Sequence, residues 1–368
     1  MFDTDNRFLK PLPAIIIGLV VTYALLWVGS FIAGATSDES FGLVPQDELG
    51  LGGWLTWLIV AAVGVYGIYV WAADKPVWEV GTREVVYMGL GAALYGVLSW
   101  VFNTVPVPSV SLVSLRPTVV IPVFFGFAFG PVVGFFTGFV GNILGDALTG
   151  WGVFPAWDVA NGFMGLIPGL AMVFGDRKRS FKTLFWITAA LLAVATILPI
   201  VQPNVNFGDE VVSYSNYWWV PLAGLILLLV VNFRPDAWPI LMGLLVVGIL
   251  AQAIITIVND GFTGGAVILL LWAIVAGGLA YWLFQRREAI ATALSDEDTR
   301  TIIIWGTLAV IIGIGFAAFA DIFINGYTFA TAFVGEFIPA AGPNILFVIL
   351  LTPLLYGAWQ QAQARTGR

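Results

Sequence analysis

Apolar residues in this chain come in long unbroken runs, and polar residues gather in the short breaks between them. Strict alternation would predict strands and a half-polar stripe would predict surface helices; uninterrupted runs of this length predict membrane-spanning helices. The runs lie at 12–34, 51–73, 84–103, 117–129, 131–148, 158–175, 183–201, 219–233, 238–258, 265–285, 301–324 and 338–360. The pattern therefore predicts an all-α, polytopic bundle of about twelve spans. The run 117–129 is shorter than the roughly 20 residues a straight crossing needs, so it is expected to be tilted, broken or continuous with its neighbour.

Charge placement gives the expected orientation. With the N-terminus on the cytoplasmic side, fourteen of the fifteen Lys and Arg fall in inside segments, from Arg7 and Lys10 through the Arg177–Lys182 cluster to Arg365 and Arg368. Short loops rich in cations stay inside, so both termini are expected in the cytoplasm, with the chain in the cell membrane. Arg116 is the exception. The outside loops 36–50 and 202–219 carry acids and no bases, and Tyr214, Tyr217, Trp218 and Trp219 are read as an interfacial belt.

Composition agrees. Hydrophobic residues make up 60% of the 368 and charged residues 10%, against about 25% charged in an average soluble domain. The start of the chain has no small-residue cleavage pattern after its first apolar run and is read as a retained anchor. With no cysteine and no histidine, thiolate and imidazole metal sites, disulfides and the usual general base are excluded. No cofactor, no enzymatic activity and no nucleic-acid partner is expected. A net charge of −7 with little lysine suits a salt-rich medium, where screening shortens repulsion.

The stretch from Arg116 to Gly175 differs from passive lipid-facing helix. Glycine recurs at 126, 130, 134, 138, 141, 145 and 150, which lets helices approach closely, and Gly130-Pro131 predicts a tight turn with a pre-set helix start. Asn142 and Asp146 share a helix face four residues apart, as do Asp158 and Asn161 three apart. A carboxylate in hydrocarbon costs about 2.5–3.5 kcal/mol, so these groups should face a cavity or a partner. Asp158 has two readings, a ligand contact or a cap near the start of its helix.

The segments REVVYMGLGAALYGVL, RPTVVIPVFFGFAFGPVVGFFTGFVGNILGDALTG and WDVANGFMGLIPGL resemble the first four helices of an energy-coupling factor (ECF) transporter substrate-binding, or S, component. FIPAAGPNILFVILLTPLL is similar to that family's last helix and the loop before it. The resemblance divides the chain into two extra N-terminal spans (1–83), four core helices (84–175), an inserted four-helix segment (176–300) and two last core helices (301–368). It implies a binder for a vitamin or similar small nutrient, working with a transmembrane coupling subunit and two ATPases on other chains. No G-x-x-x-x-G-K-[ST] loop is present to bind ATP.

The resemblance also places sites. The small-residue stripe Gly89, Ala92, Ala93 and Gly96 is expected either to dock on the coupling subunit or to pack within the bundle. The ligand is expected under two outer lids, 103–116 and 325–337. The candidate contacts are Arg116, Asn142, Asp146, Asp158, Asn161, Glu336 and Asn344; Arg116 is otherwise read as a lipid-headgroup or loop-packing residue, and Asn344 as structural. Aromatics near them, Phe154, Trp157 and Tyr327, could stack a flat ring, and Asp321 and Asn325 add a polar pair. Two other function classes remain: a gradient-driven transporter of a small polar solute using a buried acid such as Asp146 or Asp321, and a non-transporting membrane sensor or structural subunit.

Overall fold

The computed structural model describes residues 7–36, 50–111, 113–173, 177–262 and 264–366. The acidic loop read at 36–50 lies almost wholly outside them. Helices α1 (Leu12–Thr36) and α2 (Gly50–Trp71) precede α3 (Thr82–Phe102), α4 (Val120–Phe129), α5 (Pro131–Thr149) and α6 (Pro155–Gly169). After α7 (Arg177–Val201) comes a hairpin of β1 (Asn204–Phe207) and β2 (Glu210–Ser213), then α8 (Trp219–Phe233), α9 (Trp238–Asp260) and α10 (Gly264–Gln285). The short α11 (Arg287–Ser295), then α12 (Glu297–Ile324) and α13 (Ile338–Thr366) complete the order, and a π-helical turn at Thr331–Phe337 leads into α13.

Among the described residues, eight stretches are long and apolar enough to cross a membrane, and four further apolar helical stretches are shorter. The protein is a multi-pass helical membrane bundle. Eight is thus the structure's number and twelve the sequence's, the difference lying in short stretches such as Pro117–Phe129. Lipid explains the outer surface: Val86, Leu90, Val97 and Val101 of α3 are half exposed or more, which water would oppose and hydrocarbon favours.

The core forms where α6 is surrounded. Its candidate span is almost entirely buried, packed by α5 and α4 on one side and α12 on the other, with α13 against α12 and α4. Helices α12 and α13 therefore join α3–α6 in one bundle although α7–α11 intervene in the chain. Helices α7 and α8 flank it on the α12–α13 side, and α9 pairs mainly with α10.

Glycine makes the close packing possible. A Cβ on Gly126, Gly134 or Gly165 would strike the backbone of a facing helix, so α4, α5 and α6 meet with nothing between their main chains. At the α3–α5 seam, a Cβ on Gly145 would sit 2.8 Å from the Cβ of Ser99, and one on Gly141 2.9 Å from that of Tyr95. Gly130 has φ +104°, a backbone that side chains resist, and separates α4 from α5 at the predicted turn.

Two loops differ from the sequence expectation. The stretch 202–219 contains the β1–β2 hairpin, pairing Val205 with Val212 and turning at Gly208 with φ +58°; four-residue strands leave too little alternation to register beside long apolar runs. The second lid is largely helical. Thr328 Oγ1 accepts from the Thr331 N–H at 3.1 Å, starting a helical turn that the following residues continue into α13. Pro339 and Pro343 do not break it: the first sits in the opening turn of α13 and the second inside the helix.

Candidate functional site

One end of the bundle gathers the loop 103–116, the α5–α6 turn, the hairpin and the segment 325–337. Under them lies a cavity of about 220 Å³. Its walls come from the first lid (Ser111, Ser114, Arg116), α5 (Asn142, Asp146), the α5–α6 turn and α6 (Trp151, Phe154, Trp157, Asn161), α12 (Asp321, Ile324) and its end (Asn325, Tyr327), and α13 (Ala340, Asn344).

Arg116 organises one wall. Its Nη2 donates to Asp146 Oδ1 at 2.6 Å, its Nη1 to Asn142 Oδ1 at 2.6 Å and its Nε to Asn103 Oδ1 at 2.7 Å and Ser114 Oγ at 3.1 Å. Asn142 in turn donates to Asp146 Oδ2 at 2.8 Å and to Asp158 Oδ1 at 2.7 Å. The lid, α5 and α6 are thus tied by one charge-assisted network, the strong kind of hydrogen bond. The exceptional Arg116 is a buried ion-pair partner and not a headgroup contact. Its guanidinium also lies 5.7 Å from the centre of the Trp151 ring.

A second network crosses the floor. The Tyr95 hydroxyl donates to Asn161 Oδ1 at 2.5 Å, Asn161 Nδ2 donates to the Trp157 carbonyl at 2.8 Å, and the Trp157 indole donates to Asp321 Oδ2 at 3.0 Å. It joins α3, α6 and α12, so both halves of the bundle hold the same wall.

Of the seven candidate contacts, Arg116, Asn142, Asp146, Asn161 and Asn344 line the cavity. Asp158 lies behind Asn142, with no exposure, one oxygen bonded and the other without a partner. The N-cap position of α6 is Phe154, and Asp158 stands in the first turn, where an acid is favoured by the helix dipole. Glu336 is wholly buried, set in the π turn, with its carboxyl against Ser111 and Asp321. Its neighbours Ser111 and Asp321 line the cavity.

Sequence reasoning missed Tyr95, Asn103 and Trp151. Asn103 bonds Arg116, Asp146, Ser114 and Thr149 at once, and its only signal was an amide at the end of a span. Tyr95 offered a hydroxyl deep in an apolar run, on the α3 face that carries Ala92 and Ser99.

The lids are fastened from outside by the hairpin. Val205, Val110, Tyr214 and Val334 form a small buried cluster. Thr331 Oγ1 donates to the Asn206 carbonyl at 2.9 Å, Tyr217 to the Pro108 carbonyl at 2.8 Å, and the Val110 N–H to the Gly335 carbonyl at 3.0 Å. Burial, with a smaller effect from the Glu336 charge, pushes the Tyr214 phenol up to about 12. The aromatic loop therefore splits: Tyr214 and Tyr217 hold the first lid, whereas Trp218 and Trp219 stay exposed as an interfacial belt would.

A family model described as ECF-type riboflavin transporter, S component, matches residues 79–233. A UPF0397 protein of Streptococcus gordonii is 30% identical over 163 residues, which is 40% of this chain and 86% of that relative. The chain belongs to the ECF transporter S-component family. The resemblance drawn from the sequence is borne out. UPF0397 proteins of Aliivibrio salmonicida and Vibrio atlanticus are 33% identical over 100 residues and 38% over 88, covering 27% and 24% of this chain and 54% and 47% of theirs. The S-component chain thus spans about half the length of these two relatives. No solved structure matches it. The matched residues run on through α7 and α8, which the sequence reading placed in the inserted segment.

The small-residue stripe on α3 of this S component is divided by the fold. Ala92 and Gly96 are buried against α5, where a Cβ on Gly96 would come within 2.7 Å of Leu144 Cβ. Gly89 and Ala93 point outward, and nothing lies near the site of a Cβ on Gly89.

Proposed function

We propose that this chain is the substrate-binding membrane subunit of an ECF-type importer for a vitamin or similar small nutrient. The observation that carries this reading is the cavity. It is lined by convergent amides, one paired arginine, carboxylates and aromatic rings, held by networks that span the bundle, as a small-molecule site requires. The candidate contacts at the wall are Arg116, Asn142, Asp146, Asn161 and Asn344, with Asp158 and Glu336 supporting from behind. ATP hydrolysis would come from two partner ATPases through a coupling subunit docked on the outward face of α3 at Gly89 and Ala93.

On this reading α3–α6 with α12–α13 form the binding core, α1–α2 are additions, and α7–α10 are an insertion whose hairpin fastens the lids. Both termini lie in the cytoplasm of a cell-membrane protein, and the lids face outward. The test is mass spectrometry of small molecules released on denaturing the purified chain, together with co-purification of coupling subunit and ATPases. A stoichiometric heterocycle and a recovered partner complex are expected. Release of no ligand, with uptake in vesicles that needs an ion gradient and no ATP, would overturn it.

A further inference from the structure

The second lid meets the first at one short seam. The Val110 N–H donates to the Gly335 carbonyl at 3.0 Å, and the next residue of each segment continues the contact, with Ser111 against the Glu336 carboxyl. A Cβ on Gly335 would come within 2.8 Å of Val110 Cγ1, so the two segments touch closely. Glu336 has no exposure and sits in the π turn Thr331–Phe337, a helical form common at functional positions.

The partner of Glu336 on α12 is another acid. Its carboxyl lies at hydrogen-bonding range of Asp321, which is 4% exposed and whose Oδ2 accepts from the Trp157 indole at 3.0 Å. From the hairpin, Tyr214 feels the Glu336 charge and stays neutral. Glu336 thus faces Asp321 from α12, Tyr214 from the hairpin and Ser111 from the first lid, and none of these is a cation. The cation at the cavity wall, Arg116, is held on the α5 side by Asp146, Asn142 and Asn103.

Ionised carboxylates only accept hydrogen bonds, and two of them in contact inside a protein repel strongly. The contact between Glu336 and Asp321 therefore holds when a proton lies between them. Among the described residues no third acid joins them in a group that could hold a metal ion.

We infer that Asp321 and Glu336 form a one-proton site that clamps the second lid to α12 and to the first lid, so that the lids close over the cavity when the site is protonated and loosen when it loses its proton. The inference concerns lid closure and is independent of which molecule the cavity takes.

The test is a pH titration of the purified full chain from mildly acidic to alkaline conditions. It is read by infrared spectroscopy of protonated carboxyl groups and by hydrogen exchange at the Val110 amide, corrected for the intrinsic pH dependence of exchange. A protonated-carboxyl band is expected to titrate away as Val110 protection falls at least tenfold, with α6 amides protected throughout. Glu336→Gln keeps a donor at that position and should remove the band and hold Val110 protected at every pH. Asp321→Asn should likewise abolish the pH step. Val110 protection that does not change with pH in the unaltered chain overturns the inference, whether or not the variants fold. So does an equal pH step in both variants, or protection that follows sodium concentration at fixed pH, which would assign the site to a metal cation. None of these outcomes touches the importer-subunit reading, which the search for a co-bound molecule decides by itself.

Discussion

Arg116 and Asp146 form an ion pair at 2.6 Å, with their side chains 14% and 4% exposed, joining the end of the first lid to α5. Removing one partner of a buried pair leaves an uncompensated charge, which typically costs about 3–5 kcal/mol. Arg116→Met should therefore destabilise the chain by that amount in detergent melts. The double variant Arg116→Met with Asp146→Leu should recover part of the loss, because replacing the whole pair by apolar groups is often neutral. Equal or greater loss in the double variant would show that Asn103 and Asn142 depend on the pair.

The glycine seam makes a sharper prediction. Gly134→Val would force a side chain into the Gly165 carbonyl and the Gly126 main chain, and overpacking of this kind costs about 1–3 kcal/mol or more. Folded yield should fall steeply. Gly67→Ala, where nothing lies within 4 Å of the added carbon, should be neutral or stabilising by up to about 1 kcal/mol through helix propensity.

Val205 is 1% exposed in the cluster that fastens both lids. Val205→Ala should cost about 0.5–3 kcal/mol, and the loss should be local. Hydrogen exchange at the Val110 amide, which bonds Gly335 across the two lids, should speed up while amides of α6 stay protected. Uniform deprotection would show that the hairpin supports the whole bundle and not the lids alone.

The divided stripe on α3 separates docking from folding. Gly89→Trp or Ala93→Trp should reduce recovery of a coupling subunit in co-purification and leave the melting temperature of the isolated chain unchanged. Gly96→Trp should unfold it, because α5 occupies that face. Unchanged partner recovery with both outward variants would remove α3 as the docking helix.

How legible this was follows from range. The glycine spacing and the i,i+4 pair Asn142 and Asp146 could be read directly, because helix geometry fixes which residues three or four apart share a face. That Ala92 and Gly96 turn inward while Gly89 and Ala93 turn outward could not, because a stripe of small residues packs equally well on either kind of helix. The inward turn of Tyr214 and Tyr217 was hidden for a similar reason: amphipathic rings suit a lipid interface and a lid alike.

The sequence by itself determined the membrane bundle, the close packing of α4–α6 and most of the polar residues at the cavity, because hydropathy, glycine spacing and charge are properties of short windows. Only the tertiary structure decided that Arg116 is a lid residue paired with Asp146, that Trp157 reaches Asp321 across the chain, and that Glu336 is buried beside Asp321. Those facts depend on which distant helices meet, and the meeting of α6 with α12 is set by shape and packing across many residues that no local pattern encodes.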